Sequence, residues 1–401
     1  NRVPEGTRPG LPLSFDLRSL FRLEQTATFS ATKPTPYLLW IRTGQAMLTL
    51  FLFILFLIAL ELITSACREL GADYTQGILL LTSNPLVLLF IGLLATAIIQ
   101  SSSTITASLV AMVTANIISL EAAVPVVLGA NIGTCITSMM VSFGHLGTPK
   151  AFRRGYMVAS SHVIFNVATA LLFFPLEEKW HVLSASSRYL ATHLSNWGTI
   201  GEGWFVFNDV FVAPFAHFFT SVASGQPLGI LVFSLILLFM CIFSLTALFR
   251  HLMLRGDRGN TISRAFSNPL VSLLTGTGVT AAIHSSTVIS SLSVMLAATE
   301  KISPKKLFPF ILGANVGTTV TALMAAIGRS EAGLAIALCH LLYNVLGVLI
   351  FYPFESVRDL TVNISRWSGI MAQKSMAFAF GSLLILFFAL PFLVIFIFGK
   401  F

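Results

Sequence analysis

Residues 83–177 and 267–355 of this 401-residue chain carry the same pattern twice. Laying Ser83-Asn84-Pro85-Leu86 on Ser267-Asn268-Pro269-Leu270 sets an offset of 184. Without a gap, that offset carries Gly92 onto Gly276, Thr96 onto Thr280, Gln100 onto His284, Ser101-Ser102 onto Ser285-Ser286 and Pro125 onto Pro309. Gly129-Ala130-Asn131-Ile132-Gly133-Thr134 falls on Gly313-Ala314-Asn315-Val316-Gly317-Thr318. After a six-residue gap, His162 and Asn166 meet His340 and Asn344, and Phe174-Pro175-Leu176-Glu177 meets Tyr352-Pro353-Phe354-Glu355. Chance likeness between apolar helices would match Leu, Ile and Val. The matches here are Ser, Thr, Asn, Gly and Pro, so the chain is read as a duplicated unit.

Its solvent is mostly lipid. The chain is 55% hydrophobic and 10% charged, with a mean hydropathy of +0.86, against roughly 25% charged residues in soluble domains. Stretches 44–60, 228–249, 333–353 and 376–398 are long enough to cross a bilayer core. An all-α polytopic membrane protein follows, and an anchored soluble enzyme is excluded. The net charge of +8 sits in short loops, as the positive-inside rule has it. No basic patch interleaved with aromatics points to nucleic acid. Cys67, Cys135, Cys241 and Cys339 show no metal-ligand spacing and read as buried, inert thiols. The sequence opens on Asn1 rather than Met and is expected to be a fragment. Residues 1–42 read as a cytoplasmic or interfacial segment, with Phe15, Leu17, Leu20, Phe21 and Leu23 on a face that suits a membrane surface.

Loop charge orients the two copies. The loops at 67–76 and 117–122 hold Arg68, Glu69, Asp73 and Glu121, whereas their counterparts are basic, with Arg250, Arg255, Arg258, Arg264, Lys301, Lys305 and Lys306. The next pair reverses: Lys150, Arg153 and Arg154 follow the first copy, and the neutral pair Arg329 and Glu331 follows the second. By the positive-inside rule the copies run in opposite directions. The expected architecture is a first transmembrane repeat over 43–226 and a second, inverted one over 227–401. Segments 84–116 and 268–299 must then begin and end on the same side, as re-entrant helical hairpins. Crossings are expected near 43–66, 123–144, 155–175, 228–249, 307–327, 333–353 and 376–398, with 176–205 and 354–372 at an interface. Asn363-Ile364-Ser365 fits a glycosylation sequon but falls inside.

Mid-hairpin, each copy has a polar run: Gln100-Ser101-Ser102-Ser103-Thr104 and His284-Ser285-Ser286-Thr287. Isolated Ser and Thr in such helices normally bond to a neighbouring helix. A polar run that recurs at one place in an inverted repeat suits a broken helix at the membrane midplane. The second half of a broken helix offers free N–H groups to an oxyanion. The first half offers carbonyls to a small cation. Gly129 and Gly133, with Gly313 and Gly317, fit GxxxG packing. That does not explain Asn131 and Asn315, which are costly in lipid unless paired or liganding. Pro125 and Pro309 are expected to break their helices and expose a carbonyl-rich cation site. His162 and His340 read as satisfied buried histidines, and Asn166 and Asn344 are expected to line the same cavity. Segments 84–116, 123–144, 268–299 and 307–327 hold no Asp, Glu, Lys or Arg. An anion there would need co-bound cations to neutralise it, which is itself a reason for coupling.

QSSST at 100–104, VPVVLGANIGTCITS at 124–138, HVIFN at 162–166, FPLE at 174–177 and the second copies LGANVGTTVTAL and HLLYN resemble the type II sodium/phosphate cotransporter family across nearly all of 75–355. The resemblance implies import of inorganic phosphate coupled to sodium by alternating access. It implies phosphate binding at Gln100, Ser101, Ser102 and Ser103, and at Ser285 and Ser286; the second polar run adds His284 and Thr287 to the phosphate set. It places Asn166 at sodium. With the residue chemistry above, the sodium set is Gln100, Thr104, Asn131, Thr134, Asn166, Asn315, Thr318 and Asn344. Sodium is the coupling ion, no other cofactor is expected, and a homodimer is left open. Two departures stand out. The family's second motif begins with Gln where this chain has His284, so uptake is expected to be pH-sensitive. An unchanged pH profile in His284→Gln would reject that. Electrogenic animal members carry Asp where this chain has Val163, which favours an electroneutral cycle. The loop 176–226 is short and free of Cys, which implies a bacterial inner-membrane protein.

Three competing readings remain. A dicarboxylate carrier would also use inverted hairpins, but with a Ser-Asn-Thr triplet that these Ser runs lack; substrate competition separates the two. A serine enzyme would pair His284 with Ser285, yet Gln100 cannot act as base and no acid orients the His. A channel fits paired broken helices less well than alternating access does.

Overall fold

In a computed structural model, the described residues are 43–59, 61–63, 65–66, 84–195, 212–222, 226–253, 266, 268–298, 300 and 302–399. The expectations for residues 1–42, Cys67, loop 67–76, residues 196–205 and the side chains at 250–264 fall outside them. The chain divides after Leu52 into two units, and the architecture below is that of residues 53–401.

Among the described residues every regular element is helical, and no strand occurs. In chain order they are α1 (Thr43–Ile63), α2 (Pro85–Ile99), α3 (Ser102–Thr114), α4 (Leu120–Phe143), α5 (Pro149–Trp180), α6 (Val182–Ser195), α7 (Ala213–Val222), α8 (Pro227–Met253), α9 (Pro269–Ile283), α10 (Ser286–Ala298), α11 (Pro304–Ala326), α12 (Glu331–Phe351), α13 (Glu355–Lys374) and α14 (Met376–Phe398). Six of them, α1, α4, α5, α11, α12 and α14, are long and apolar enough to cross a membrane.

Local chemistry sets the hairpin ends. Asn84 caps α2 by accepting from Leu86 N, and Pro85 fills the first turn, where a missing N–H costs nothing. Asn268 and Pro269 do the same for α9. Both helices end on a left-handed residue: Gln100 (φ 57, ψ 27) and His284 (φ 57, ψ 25). Neither is glycine, so each copy independently holds a side chain in a conformation that L-residues rarely adopt.

The hairpins follow from glycine packing. A Cβ on Gly129 would overlap the Leu89 carbonyl and stand 2.8 Å from Leu93 N; one on Gly133 would stand 3.2 Å from Ala97 N. A four-residue step along α4 therefore matches a four-residue step along α2, and the two run parallel with backbones nearly touching. Gly313 against Leu273 and Thr277, and Gly317 against Ala281, repeat this between α9 and α11. The end of α2 is then level with about residue 138 of α4, yet α4 begins at Leu120. The intervening chain must travel back roughly 27 Å at 1.5 Å per residue, so α3 runs antiparallel to α2. The same reasoning turns α10 back along α9. With 15 and 13 residues, the limbs are about 22 and 20 Å long, short of the roughly 30 Å hydrocarbon core.

The copies grip each other reciprocally. Gly155 on α5 abuts Val294 on α10, and their counterparts, Gly333 on α12 and Val110 on α3, abut in turn. Thr169 and Gly347 are counterparts that touch each other. The packing between the copies is thus reciprocal.

One expectation needs correcting. Pro125 and Pro309 do not break their helices. Each is the sixth residue of its helix and removes a single early hydrogen bond, and α11 is continuous. The one irregularity in α4 is a turn at Thr134, where φ −57 and ψ −27 remain helical. In the first copy, helix α5 runs through Pro175 to Trp180 and stops on left-handed His181. Buried Glu177 then accepts from Leu183 N (2.7 Å) and Ser184 N (3.2 Å), satisfying free amides at the start of α6. Helix α6 packs on α12.

Basic residues collect at one end. Lys150 pairs with Glu300 at 2.6 Å and Lys305 with Asp359 at 2.7 Å. The Lys150 ammonium, with Arg154 and Arg153 behind it, holds the Glu300 carboxyl below its ordinary range. Arg188 with Glu121, and Arg329 with Glu61, make balanced pairs elsewhere.

Candidate functional site

The two hairpin tips meet. Ser103 Oγ donates to the carbonyl of His284 at 3.4 Å, joining positions 181 residues apart. Ser101 caps α3: its Oγ accepts from Thr104 N at 3.2 Å and lies 2.8 Å from Thr104 Oγ1. Ser285 caps α10 less tightly, accepting from Val288 N at 3.4 Å. Capping satisfies one of the first amides of each helix and leaves the others facing the tip. Ser102, Ser103, Thr104 and Ser286 are buried, while Ser285, His284 and Thr287 are half-buried. Gln100 is exposed, with Nε2 3.8 Å from Met140 Sδ. The tips thus present backbone N–H groups and hydroxyls, with no fixed charge.

The second cluster is an amide–imidazole lattice. His162 Nε2 donates to Asn315 Oδ1 at 2.9 Å, and Asn315 Nδ2 donates to Asn166 Oδ1 at 3.0 Å. The counterparts meet in the same pairs with the amide bond reversed: His340 Nε2 donates to Asn131 Oδ1 at 3.4 Å, and Asn344 Nδ2 to the same oxygen at 3.2 Å. Each Asn on α4 or α11 is therefore held by the histidine and asparagine of the other copy. Asn166 also reaches Cys135 Sγ (3.3 Å), and Tyr343 Oη donates to its carbonyl (3.2 Å). Asn166 and Asn344 are 0% exposed, so they form a sealed joint rather than lining an open cavity. The histidines are only half satisfied, since both Nδ1 atoms lack a partner.

Thr134 and Thr318 bond back to Ala130 and Ala314, each at 2.9 Å, which leaves their oxygens free to accept. The sequence reading gave no role to Thr96 and Thr280, or to Thr137 and Thr321. All four carry buried hydroxyls without partners, as does Asn344 Oδ1. The signal was available: both pairs obey the 184 offset. Cys135, Cys241 and Cys339 are free and buried, as expected. Among the described residues, no cluster of His, Cys, Asp and Glu could hold a metal.

Comparison with known proteins fits this geometry. A family model described as Na+/Pi-cotransporter matches residues 55–192 and 237–393, well over half of the chain. Human sodium-dependent phosphate transport protein 2B is 25% identical over 87% of this chain and 64% of its own length. The rat protein 2A is 27% identical over 85% of this chain and 65% of its own, and the mouse protein 2B 26% over 97% and 69%. This chain thus spans about 64% of the human relative. No solved structure matches. With its duplicated hairpins covered by the two matched segments, the chain belongs to the Na+/Pi-cotransporter family.

Proposed function

We propose that this chain carries inorganic phosphate across a cell membrane together with sodium, by alternating exposure of a site between the hairpin tips. It is a carrier rather than an enzyme. The observation that carries the reading is the matched pair of left-handed caps at Gln100 and His284, with Ser103 of the first tip bonded to the His284 carbonyl of the second. Behind each cap begins a helix whose first amides suit an oxyanion. The related proteins are named for sodium-dependent phosphate transport, which supplies the ion pair.

Phosphate binds Gln100, Ser101, Ser102 and Ser103 with His284, Ser285, Ser286 and Thr287. No Lys or Arg lies in either hairpin, so sodium neutralises the anion, and coupling follows from the cost of an unpaired charge. Oxygens without partners at Thr96, Thr280 and Asn344 are natural sodium ligands beside Gln100, Thr104, Asn131, Thr134, Asn166, Asn315 and Thr318. Val163 favours an electroneutral cycle.

Labelled phosphate uptake into proteoliposomes, with an inward sodium gradient against a matched potassium gradient, tests the reading. Uptake should require sodium. Loss of one hydroxyl donor to a charged ligand in Ser102→Ala should weaken it roughly ten- to hundredfold at low phosphate. Equal uptake in both gradients would reject sodium coupling.

A further inference from the structure

At the basic end, two adjoining cavities of ≈ 330 and ≈ 360 Å³ share Ser303, Lys305 and Val362. The first adds Lys306 and Arg358, the second Arg153, Arg154 and Arg366; Glu355 is the one carboxylate in either lining. Arg154 is tied to the carbonyls of Ala297 and Ile302, both at 2.8 Å, and Arg358 to the carbonyl and ring of Tyr352. Lys305 has Asp359. The side chains of Arg153, Lys306 and Arg366 make no hydrogen bond or ion pair among the described residues, Arg153 acting on Glu300 only from a distance. Three cations without a bonded carboxylate thus line the space.

Helix α13 supplies an independent observation. One face (Thr361, Val362, Ser365, Gly369, Ala372) is buried, and a Cβ on Gly369 would stand 2.8 Å from the carbonyl of Arg153 on α5. On the far side of the helix, Leu360, Ile364 and Trp367 form an exposed stripe at helical spacing. An amphipathic helix with an apolar stripe turned away from the bundle and charged residues on another face lies in the membrane interface, which puts the cavities at headgroup depth. They open at the start of α9, beside Asn268 and Pro269. His284 ends that helix 15 residues on, about 22 Å away, so this space is separate from the tips.

We propose that these cavities hold the phosphate of an anionic phospholipid, with Arg153 and Arg366 gripping the headgroup, Lys306 adding charge, and the start of the acyl chains lying against Met157, Phe308 and Ile370. Guanidinium forks match phosphate oxygens in pairs. The apolar residues in the same linings favour a lipid over a free anion.

The test uses the full chain in neutral detergent and potassium buffer without sodium. Thermal midpoints are titrated with phosphatidylglycerol, phosphatidylcholine or inorganic phosphate, and native mass spectrometry counts bound lipid. Phosphatidylglycerol should bind saturably and raise the midpoint, and phosphatidylcholine should not. Arg153→Gln with Arg366→Gln should weaken it about thirtyfold, taking about 1 kcal/mol per surface cation. Lys150→Gln with Lys374→Gln, which removes equal charge outside the cavities, should change it less than about threefold by the same measure. If the glutamine pair does not fold, Arg153→Lys with Arg366→Lys keeps the charge, loses the forks and should bind several-fold weaker. The proposal is overturned by equal effects of the two lipids, by equal losses in the cavity and control pairs, by unchanged affinity in the lysine pair, or by saturable inorganic-phosphate binding that the cavity pair abolishes. None of these readouts depends on uptake, so they fail separately from the transport reading.

Discussion

Valine at Gly313 should leave almost no folded protein in the membrane. The Cβ would overlap the Leu273 carbonyl and stand 2.8 Å from Thr277 N, and both neighbours are backbone, which cannot rotate away. Helices α9 and α11 would have to part along the whole seam. Overpacking that a side chain can absorb costs about 1–3 kcal/mol; a backbone clash lies above that range, against a total stability of about 5–15 kcal/mol. Gly129→Val should fail alike. Gly278, next to Thr277 but on another face of α9, has nothing within 4 Å of its Cβ position, so Gly278→Ala should be neutral or stabilising by up to about 1 kcal/mol. Fluorescence-detected gel filtration of a tagged protein separates these outcomes. A sharp, wild-type-like peak for Gly313→Val would show that the seam is not as close as described.

Asn315→Leu should be the next most damaging change. A hydrogen bond between helices in lipid contributes on average only about 0.6 kcal/mol. The larger effect is on the groups left behind: the His162 N–H and Asn166 Oδ1 both lose their partner in a sealed interior. At about 1–3 kcal/mol for each orphaned group, the loss is roughly 2–6 kcal/mol. Adding His162→Phe removes one orphan, so the double variant should be less damaged than the sum of the single ones. The counterpart pair, Asn131 and His340, meets at 3.4 Å rather than 2.9 Å and should show weaker coupling. Thermal midpoints of all six variants measure this. Strict additivity of Asn315→Leu and His162→Phe would break the link between them.

The repeat made much of this legible. Its offset places both hairpins, their tips and the paired Gly-Ala-Asn motifs, because the matched residues are those for which only a backbone or polar role exists in lipid. The partners of Asn131 and Asn315 were not legible. Each is held by the histidine and asparagine of the other copy, and sequence order says nothing about which copy a side chain faces. The prolines misled because their effect depends on how far into the helix they fall. The role of Glu177 was not legible, because nothing in the sequence shows that the next helix starts on its carboxylate. The orphaned threonines were written in the offset but could not be told from ordinary back-bonding Thr without geometry.

The exchange of limbs between copies also bears on how the protein is made. Val110 on α3 packs with Gly333, 223 positions later in the chain. At 5–20 residues per second, a ribosome needs roughly 10–45 s to cover that distance. For that interval the first hairpin, with its serines and Asn131 behind it, exists without the surface that buries it. Insertion of this chain therefore includes a long-lived half-product whose polar interior must be sheltered by the insertion machinery until the second half arrives.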